Sequence, residues 1–292
     1  ARHHLTVIPR NGEREKSLQS MKILPRKLPL GGKLTAFLGE ASPDLLIYLP
    51  SSGLTAFGLL RSILLQRLSG APAITMAMQD RRIGMLHRII SRARLRGLVL
   101  SPSASLREAL EETGIRTGVG IPGVDERVFR PVSGEEKSAL RVKHGLPLDK
   151  FIVLHVGHIK ESRNIGTFLG YGGWGADVLP LVKAGYVDPA LKKRLSDAGI
   201  AVMDRYIENV HELYQASDLY LFPVRSSSGA LDLPLSVIEA AACGLPVVTT
   251  RFGALPGLMG ESRSFKYFDD LSEIPGLIAR ARSEEASADK GG

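Results

Sequence analysis

The chain has 292 residues, 44% of them hydrophobic and 23% charged, which suits two α/β domains each large enough to bury a core. Its longest apolar stretch, residues 54–65, is broken by Arg61, nothing at the N-terminus reads as a cleavable signal, and the single Cys243 excludes an internal disulfide, so a cytoplasmic chain is expected. The net charge of +8 is held unevenly, with 20 Lys+Arg against 10 Asp+Glu in residues 1–130 and 18 against 20 in the rest, yet aromatic residues are only 6% and no recognition motif accompanies the charge, which argues against nucleic-acid binding.

Short apolar runs rich in β-branched residues read as buried strands at 5–8 (LTVI), 45–49 (LLIYL), 73–76 (AITM), 97–101 (GLVLS) and 151–156 (FIVLHV). Residues 54–65 and 106–113 read as helices between them, with the serines of 101–105 as natural N-caps. This alternation predicts parallel sheets flanked by helices. The densest basic run, RRIGMLHRIISRARLR at 81–96, reads as a helix on which Ile83, Leu86, Ile89 and Ile90 share a face beside the arginines. Two readings stay open for it. Either the surface rests on an anionic membrane or receives an acidic acceptor, or the stripe turns into the core and the arginines are solvated. No internal repeat is evident. A boundary near 131–134 predicts domains at 1–131 and 132–282, and the small polar residues 283–292 predict a mobile tail.

The most informative segment is PLSVIEAAACGLPVVTTRFG at 234–253. Pro234 can open a helix, because a missing N–H costs nothing in the first turn, and the amides of Leu235, Ser236 and Val237 would then face an anion along the helix dipole. Glu239 follows on the first turns, placed to accept two ribose hydroxyls, and residues 247–250 read as a strand covered on both faces. Upstream lie GVGIPGVDERVFRP at 118–131, VLHVGHIKESRN at 153–164 and LYQASDLYLFP at 213–223. In this order, the four segments resemble the motifs of the family 4 glycosyltransferases, group 1 type, retaining enzymes with two Rossmann-like domains (the GT-B fold).

The resemblance implies a donor site in the second domain, made by Gly157, His158, Arg163, Leu235, Ser236, Val237 and Glu239. Such a site stabilises the departing diphosphate with cationic side chains and helix amides, so no metal or other cofactor is expected. The sequence agrees in having no Asp-X-Asp pair, and His155 and His158 are the only histidines with a ligand-like spacing, at a strand end where alternate side chains diverge. In the family an arginine follows the glycine matching Gly157 and a lysine stands where Arg163 is. Here Arg163 keeps the charge and takes the leaving-group role, while His158 is a weaker substitute that is mostly neutral at pH 7. The family's sugar-contacting glutamate falls at Leu231, with Asp232 the adjacent candidate, and a family histidine after residues 73–76 is replaced in the run Met78, Gln79, Asp80, leaving Gln79 as the acceptor-side candidate. The bland readings are that Asp125 caps a turn, Trp174 is a packing anchor and Cys243 a packed thiol.

Relative to the family, residues 1–8 match the second strand of the first domain, so that domain is expected to be incomplete. The leading expectation is a retaining transferase that moves a hexose from a nucleoside diphosphate sugar to a hydroxyl acceptor, glycan or lipid-linked, in the cleft between the domains. The rival is a non-catalytic nucleotide-sugar-binding protein or partner subunit, motivated by Leu231 and the lost histidine.

Overall fold

The computed structural model describes residues 32–41, 43–50, 53–79, 82–93, 95–170 and 174–288. The strand expected at 5–8, together with Asp80, Arg81, Arg94 and residues 289–292, lies outside them. The chain divides into two compact units, Ala1–Gly120 and Ile121–Gly292.

In the first unit, described from α1 (Gly32–Ala41) onward, strands and helices alternate: β1 (Leu46–Tyr48), α2 (Ala56–Ser69), β2 (Ala73–Met76), α3 (Met85–Ser91), β3 (Leu98–Ser101), α4 (Ala104–Glu111) and β4 (Thr117–Val119). The strands pair in the order β1-β2-β3-β4, all parallel. Side-chain caps start the helices: Thr55 Oγ1 accepts from Gly58 N–H, and Ser103 Oγ from Leu106 N–H. Leu54, Leu59, Ile63, Val99, Leu106 and Leu110 form the core between α2, β3 and α4.

The basic run splits the apolar stripe expected of it. Ile83 and Ile90 pack on that core and His87 is buried, its Nε2 hydrogen-bonded to Leu54 O at 3.2 Å. Met85, Leu86 and Ile89 are exposed at 78%, 46% and 49%, beside Arg82, Arg88 and Arg92. The helix is only seven residues long and its neighbour α2 takes one side of it; successive residues lie about 100° apart around its axis, so Ile90 turns in while Ile89 stays outside.

The second unit runs α5 (Gly134–His144), β5 (Phe151–Val156), a single 3-10 turn (Glu161–Arg163), α6 (Thr167–Gly170), β6 (Val178–Lys183), α7 (Pro189–Asp197), β7 (Ala201–Met203), α8 (His211–Gln215), β8 (Leu219–Phe222), α9 (Leu235–Ala242), β9 (Val247–Thr249), α10 (Leu255–Leu258), β10 (Phe265–Tyr267), a second 3-10 turn (Leu271–Glu273) and α11 (Ile274–Ala288). Its six strands are parallel in the order β10-β9-β8-β5-β6-β7. Alternate residues of β5 feed two different cores. Ile152 and Leu154 pack with Tyr214, Tyr220, Phe222 and Val237, whereas Phe151 and Val153 pack with Phe168, Leu191, Leu221 and Ile278. Both faces of the sheet are therefore covered, which is why its strands read as continuous apolar runs.

Two expected boundaries move. The passage after Gly120 belongs to the second unit rather than ending the first at 131, because Gln215 Nε2 donates to both Val128 O and Arg130 O at 3.1 Å. The last helix, α11, runs to Ala288, into the segment 283–292 expected as a tail. Among the described residues no helix is long and apolar enough to cross a membrane.

Candidate functional site

The strand order decides where a site can form. β5 lies inside the sheet with its successor β6 on one side and β8 on the other, so the chain leaves these neighbours in opposite directions. In doubly wound sheets a crevice opens at the carboxyl ends of such strands. Here those ends are Gly157 and Pro223.

Beyond Gly157 the chain makes the turn that carries Arg163. Asn164 closes it in the left-handed region (φ 53°) and its Nδ2 donates to Pro223 O at 3.0 Å, tying the turn to the end of β8. The loop before α9 presses on it from above, since a Cβ on Gly229 would meet Ser162 O at 2.2 Å. Arg163 is thus held at the crevice and is half-buried. Its Nη1 lies 2.8 Å from the point a Cβ on Gly157 would occupy, so the glycine makes room for the guanidinium. Burial lowers its pKa, the Tyr220 phenol opposing, and among the described residues no carboxylate pairs with it. A desolvated cation without a counter-ion is costly to keep and suits an anionic ligand.

Tyr220, fully buried in β8, gathers the other groups. Its hydroxyl donates to Val156 O at 3.3 Å and lies within electrostatic reach of Ser236, Arg163 and Glu239. Arg163, Ser236 and Glu239, up to 76 residues apart in sequence, therefore all act on one phenol. Glu239 Oε2 accepts from Tyr214 Oη at 2.7 Å. Burial raises the Glu239 pKa above the usual carboxylate value, and the Tyr214 bond counters it.

The start of α9 differs in detail from the expectation. Pro234 is the N-cap rather than the first helical residue, with no side-chain acceptor, and its carbonyl accepts from Val237 N–H at 3.1 Å. Val237 is thus not among the free amides. Its apolar side chain is buried in the core. Leu235 and Ser236 keep amides without a protein acceptor among the described residues, two donors at a positive helix end.

His158 is exposed, and its Nδ1 accepts from Tyr186 N–H at 3.2 Å. Burial, Arg163 and Lys160 all lower its pKa, so it is a neutral imidazole whose Nε2–H can donate. It does not supply a second charge. Asp232 is buried at 2% exposure, its carbonyl accepting from Ala254 N–H at 2.8 Å, and it does not cap α9. Gln79 follows β2, half-buried, in the first unit. Asp125 closes its turn by accepting from Arg127 N–H at 3.1 Å, and the Arg127 side chain holds its carboxyl down at about 2. Trp174 stacks on Phe168 at 5.4 Å and donates to Phe168 O at 3.0 Å. Burial pushes the Cys243 thiol up to about 12, the value of an inert packed thiol.

Sequence reading missed three residues of this region. Tyr214 and Tyr220 stood within a quoted motif without a role, because phenols on a buried strand or helix read as core. His155 is fully buried, its Nδ1 donating to Leu221 O at 2.9 Å, with Nε2 having no hydrogen-bond partner. Leaving such an acceptor unpaired costs roughly 1–3 kcal/mol. The imidazole stacks on Tyr220 and Phe222, and burial first, then the Arg163 charge, lowers its pKa to about 4 against the Leu221 bond. A cavity of about 400 Å³ lies away from this crevice, at the amino ends of the strands, where Lys137, Asp218, Pro246 and Arg263 line it.

Residues 175–290 match the family model described as glycosyl transferases group 1. The D-inositol 3-phosphate glycosyltransferase of Mycolicibacterium smegmatis is 30% identical over 197 residues, covering 59% of this chain and 44% of that protein. The sulfoquinovosyl transferase SQD2 of Arabidopsis thaliana is 24% identical over 267 residues, covering 83% and 49%. The chain thus spans less than half the length of these curated relatives. The crystal structure of Anabaena Alr3699/HepE in complex with UDP-glucose shares the fold with a TM-score of 0.70 at 17% identity, over 91% of this chain and 77% of that one. Residues 175–290 are thus similar to the group 1 glycosyl transferases, and the chain has a GT-B-like fold.

Proposed function

We propose that this protein is a retaining glycosyltransferase that moves a hexose from a nucleoside diphosphate sugar to a hydroxyl acceptor, a glycan or a lipid-linked molecule, in the synthesis of a glycan, glycolipid or polysaccharide. The observation that carries the proposal is Arg163, a half-buried guanidinium with no carboxylate partner among the described residues, at a crevice shared with Glu239. Arg163 takes the diphosphate bidentately, and the Leu235 and Ser236 amides add neutral donors to the same anion. Glu239, steadied by Tyr214, accepts the ribose hydroxyls. As the glycosidic bond breaks, charge builds on the leaving phosphate, and fixed donors in a desolvated crevice stabilise it without a metal. Removal of one such group costs about 10²–10³ in kcat. The Anabaena protein binds UDP-glucose, so UDP is the first nucleotide to test.

The test is calorimetric titration with UDP, GDP and ADP, then with the matching nucleotide sugars. Micromolar binding of one nucleotide, lost in Glu239→Ala and Arg163→Ala, is the expected outcome. Unchanged affinity in both variants would sink the site assignment.

A binder without turnover is the second reading, favoured by Leu231 at the position of the family glutamate and by the burial of Asp232 beside it. Release of nucleoside diphosphate in the presence of a lipid-phosphate acceptor separates the two. Part of the basic run supports a cytoplasmic protein peripheral to an anionic membrane. Met85, Leu86 and Ile89 are exposed beside Arg88 and Arg92, and Phe57, at the start of the adjoining α2, is 74% exposed.

A further inference from the structure

His155 has no part in the reading above, yet it is the most constrained polar group at the crevice. Its ring is clamped between Tyr220 and Phe222, with Phe168 at its edge. The Leu221 carbonyl can only accept, so Nδ1 carries the proton and Nε2 presents a lone pair. Nε2 lies 2.8 Å from the point a Cβ on Gly157 would occupy, and Arg163 Nη1 lies 2.8 Å from the same point. Acceptor and donor therefore border one small space that the glycine leaves open. Neither has another hydrogen-bond partner among the described residues.

We propose that His155 is a positioning residue for Arg163: when a diphosphate binds, one guanidinium N–H turns onto His155 Nε2, fixing the plane of the fork while its remaining N–H groups face the phosphates. The inference rests on the donor-site reading. A guanidinium on a flexible stem loses rotamer freedom when it binds an anion, and a buried acceptor behind it lowers that cost by restricting its orientation. The low pKa of His155 keeps the lone pair available at neutral pH. A phenylalanine would fill the same aromatic slot, so packing alone does not require a histidine.

The test compares His155→Phe and His155→Gln with the parent by calorimetry, using whichever of UDP, GDP and ADP binds most tightly. The Phe variant keeps the ring and removes the acceptor. It is expected to melt at the same or a higher temperature, because an unpaired buried acceptor is gone, and to bind the nucleotide about five- to tenfold more weakly. Gln, which places an acceptor near the Nε2 position, is expected to stay within about twofold of the parent. In an Arg163→Ala background the His155→Phe change is expected to have no further effect, the signature of a residue acting through the arginine. Should the Phe variant not fold, long-range proton–nitrogen spectra of the unmodified protein decide. Nε2 is expected to resonate as an unprotonated nitrogen and to move upfield when the nucleotide is added. An unchanged affinity in His155→Phe, an equal loss in the Arg163→Ala background, or an unmoved Nε2 signal overturns the inference. If Arg163→Ala still weakens binding in those cases, the donor site stands without it. If no nucleotide binds at all, the donor-site reading itself fails.

Discussion

Tyr214 Oη donates to Glu239 Oε2 at 2.7 Å, joining the helix that precedes β8 to the helix that follows it. The phenol is fully buried and the carboxylate half-buried, so the bond directs an otherwise mobile side chain. Tyr214→Phe keeps the ring and removes the donor. A hydrogen bond to a charged group contributes about 1.5–3 kcal/mol to stability, so up to that much is expected to be lost in urea, and nucleotide affinity, read by calorimetry, is expected to fall several-fold because the carboxylate is no longer held.

The same carboxyl gives a pH dependence with a definite sign. Burial raises the Glu239 pKa above the ordinary carboxyl value of 4.5. The folded protein then binds this proton more readily than the unfolded chain, so Glu239 destabilises the fold at neutral pH, and that penalty is relieved as pH falls from its folded pKa toward 4.5. Glu239→Gln is expected to be at least as stable as the parent at pH 7 and to narrow the difference on acidification. Urea midpoints of both proteins across that window check it. An advantage of Gln that grows on acidification would show that folding does not raise the Glu239 pKa.

Gly157→Ala adds one methyl group at a point 2.8 Å from both His155 Nε2 and Arg163 Nη1. His155 is locked in the core and cannot yield, whereas the arginine tip can. The variant is expected to keep its fold within about 1–3 kcal/mol and to lose nucleotide affinity to nearly the extent of Arg163→Ala. Retained affinity would mean that the guanidinium does not need this space.

Arg141 and Asp218 form the buried ion pair under the sheet. Arg141 Nη2 lies 2.7 Å from Asp218 Oδ1, its Nε donates to Ala216 O at 2.9 Å, and Asp218 Oδ2 accepts from Ile152 N–H at 2.6 Å. Lys137 adds a second contact to the carboxylate. Removing Asp218 strands the buried Arg141 charge, so Asp218→Ala is expected to cost about 3–5 kcal/mol in chemical denaturation, and Arg141→Ala less, because Lys137 still pairs with the carboxylate.

The exposed apolar residues of α3 predict vesicle binding. Flotation with anionic phosphatidylglycerol vesicles is expected to fall at least tenfold when Met85, Leu86 and Ile89 are all changed to serine. Reversing Arg88 and Arg92 to glutamate is expected to remove the preference for anionic over neutral lipid. Equal binding of the parent to both lipids would discard the electrostatic part.

Much of the second unit was legible because its signals are local. Residues 151–156 read as a strand from their apolar run, and Pro234 marked a helix start within one residue, since each depends only on near neighbours along the chain. The same holds for the Ser103 cap and the Asx turn at Asp125. The sequence alone therefore determined an alternating α/β chain, and its motifs singled out Glu239 and Arg163 as candidates. What only the tertiary structure decided follows from β8 lying next to β5 although β6 and β7 come between them in the chain. That neighbourhood brings Tyr220 to Val156, places Asn164 against Pro223 and buries His155 with an idle lone pair. In the first unit, packing against α2 and its core likewise turns Ile83 and Ile90 in and leaves Leu86 and Ile89 exposed, because the faces of a helix are assigned by what packs on them and periodicity gives only their spacing.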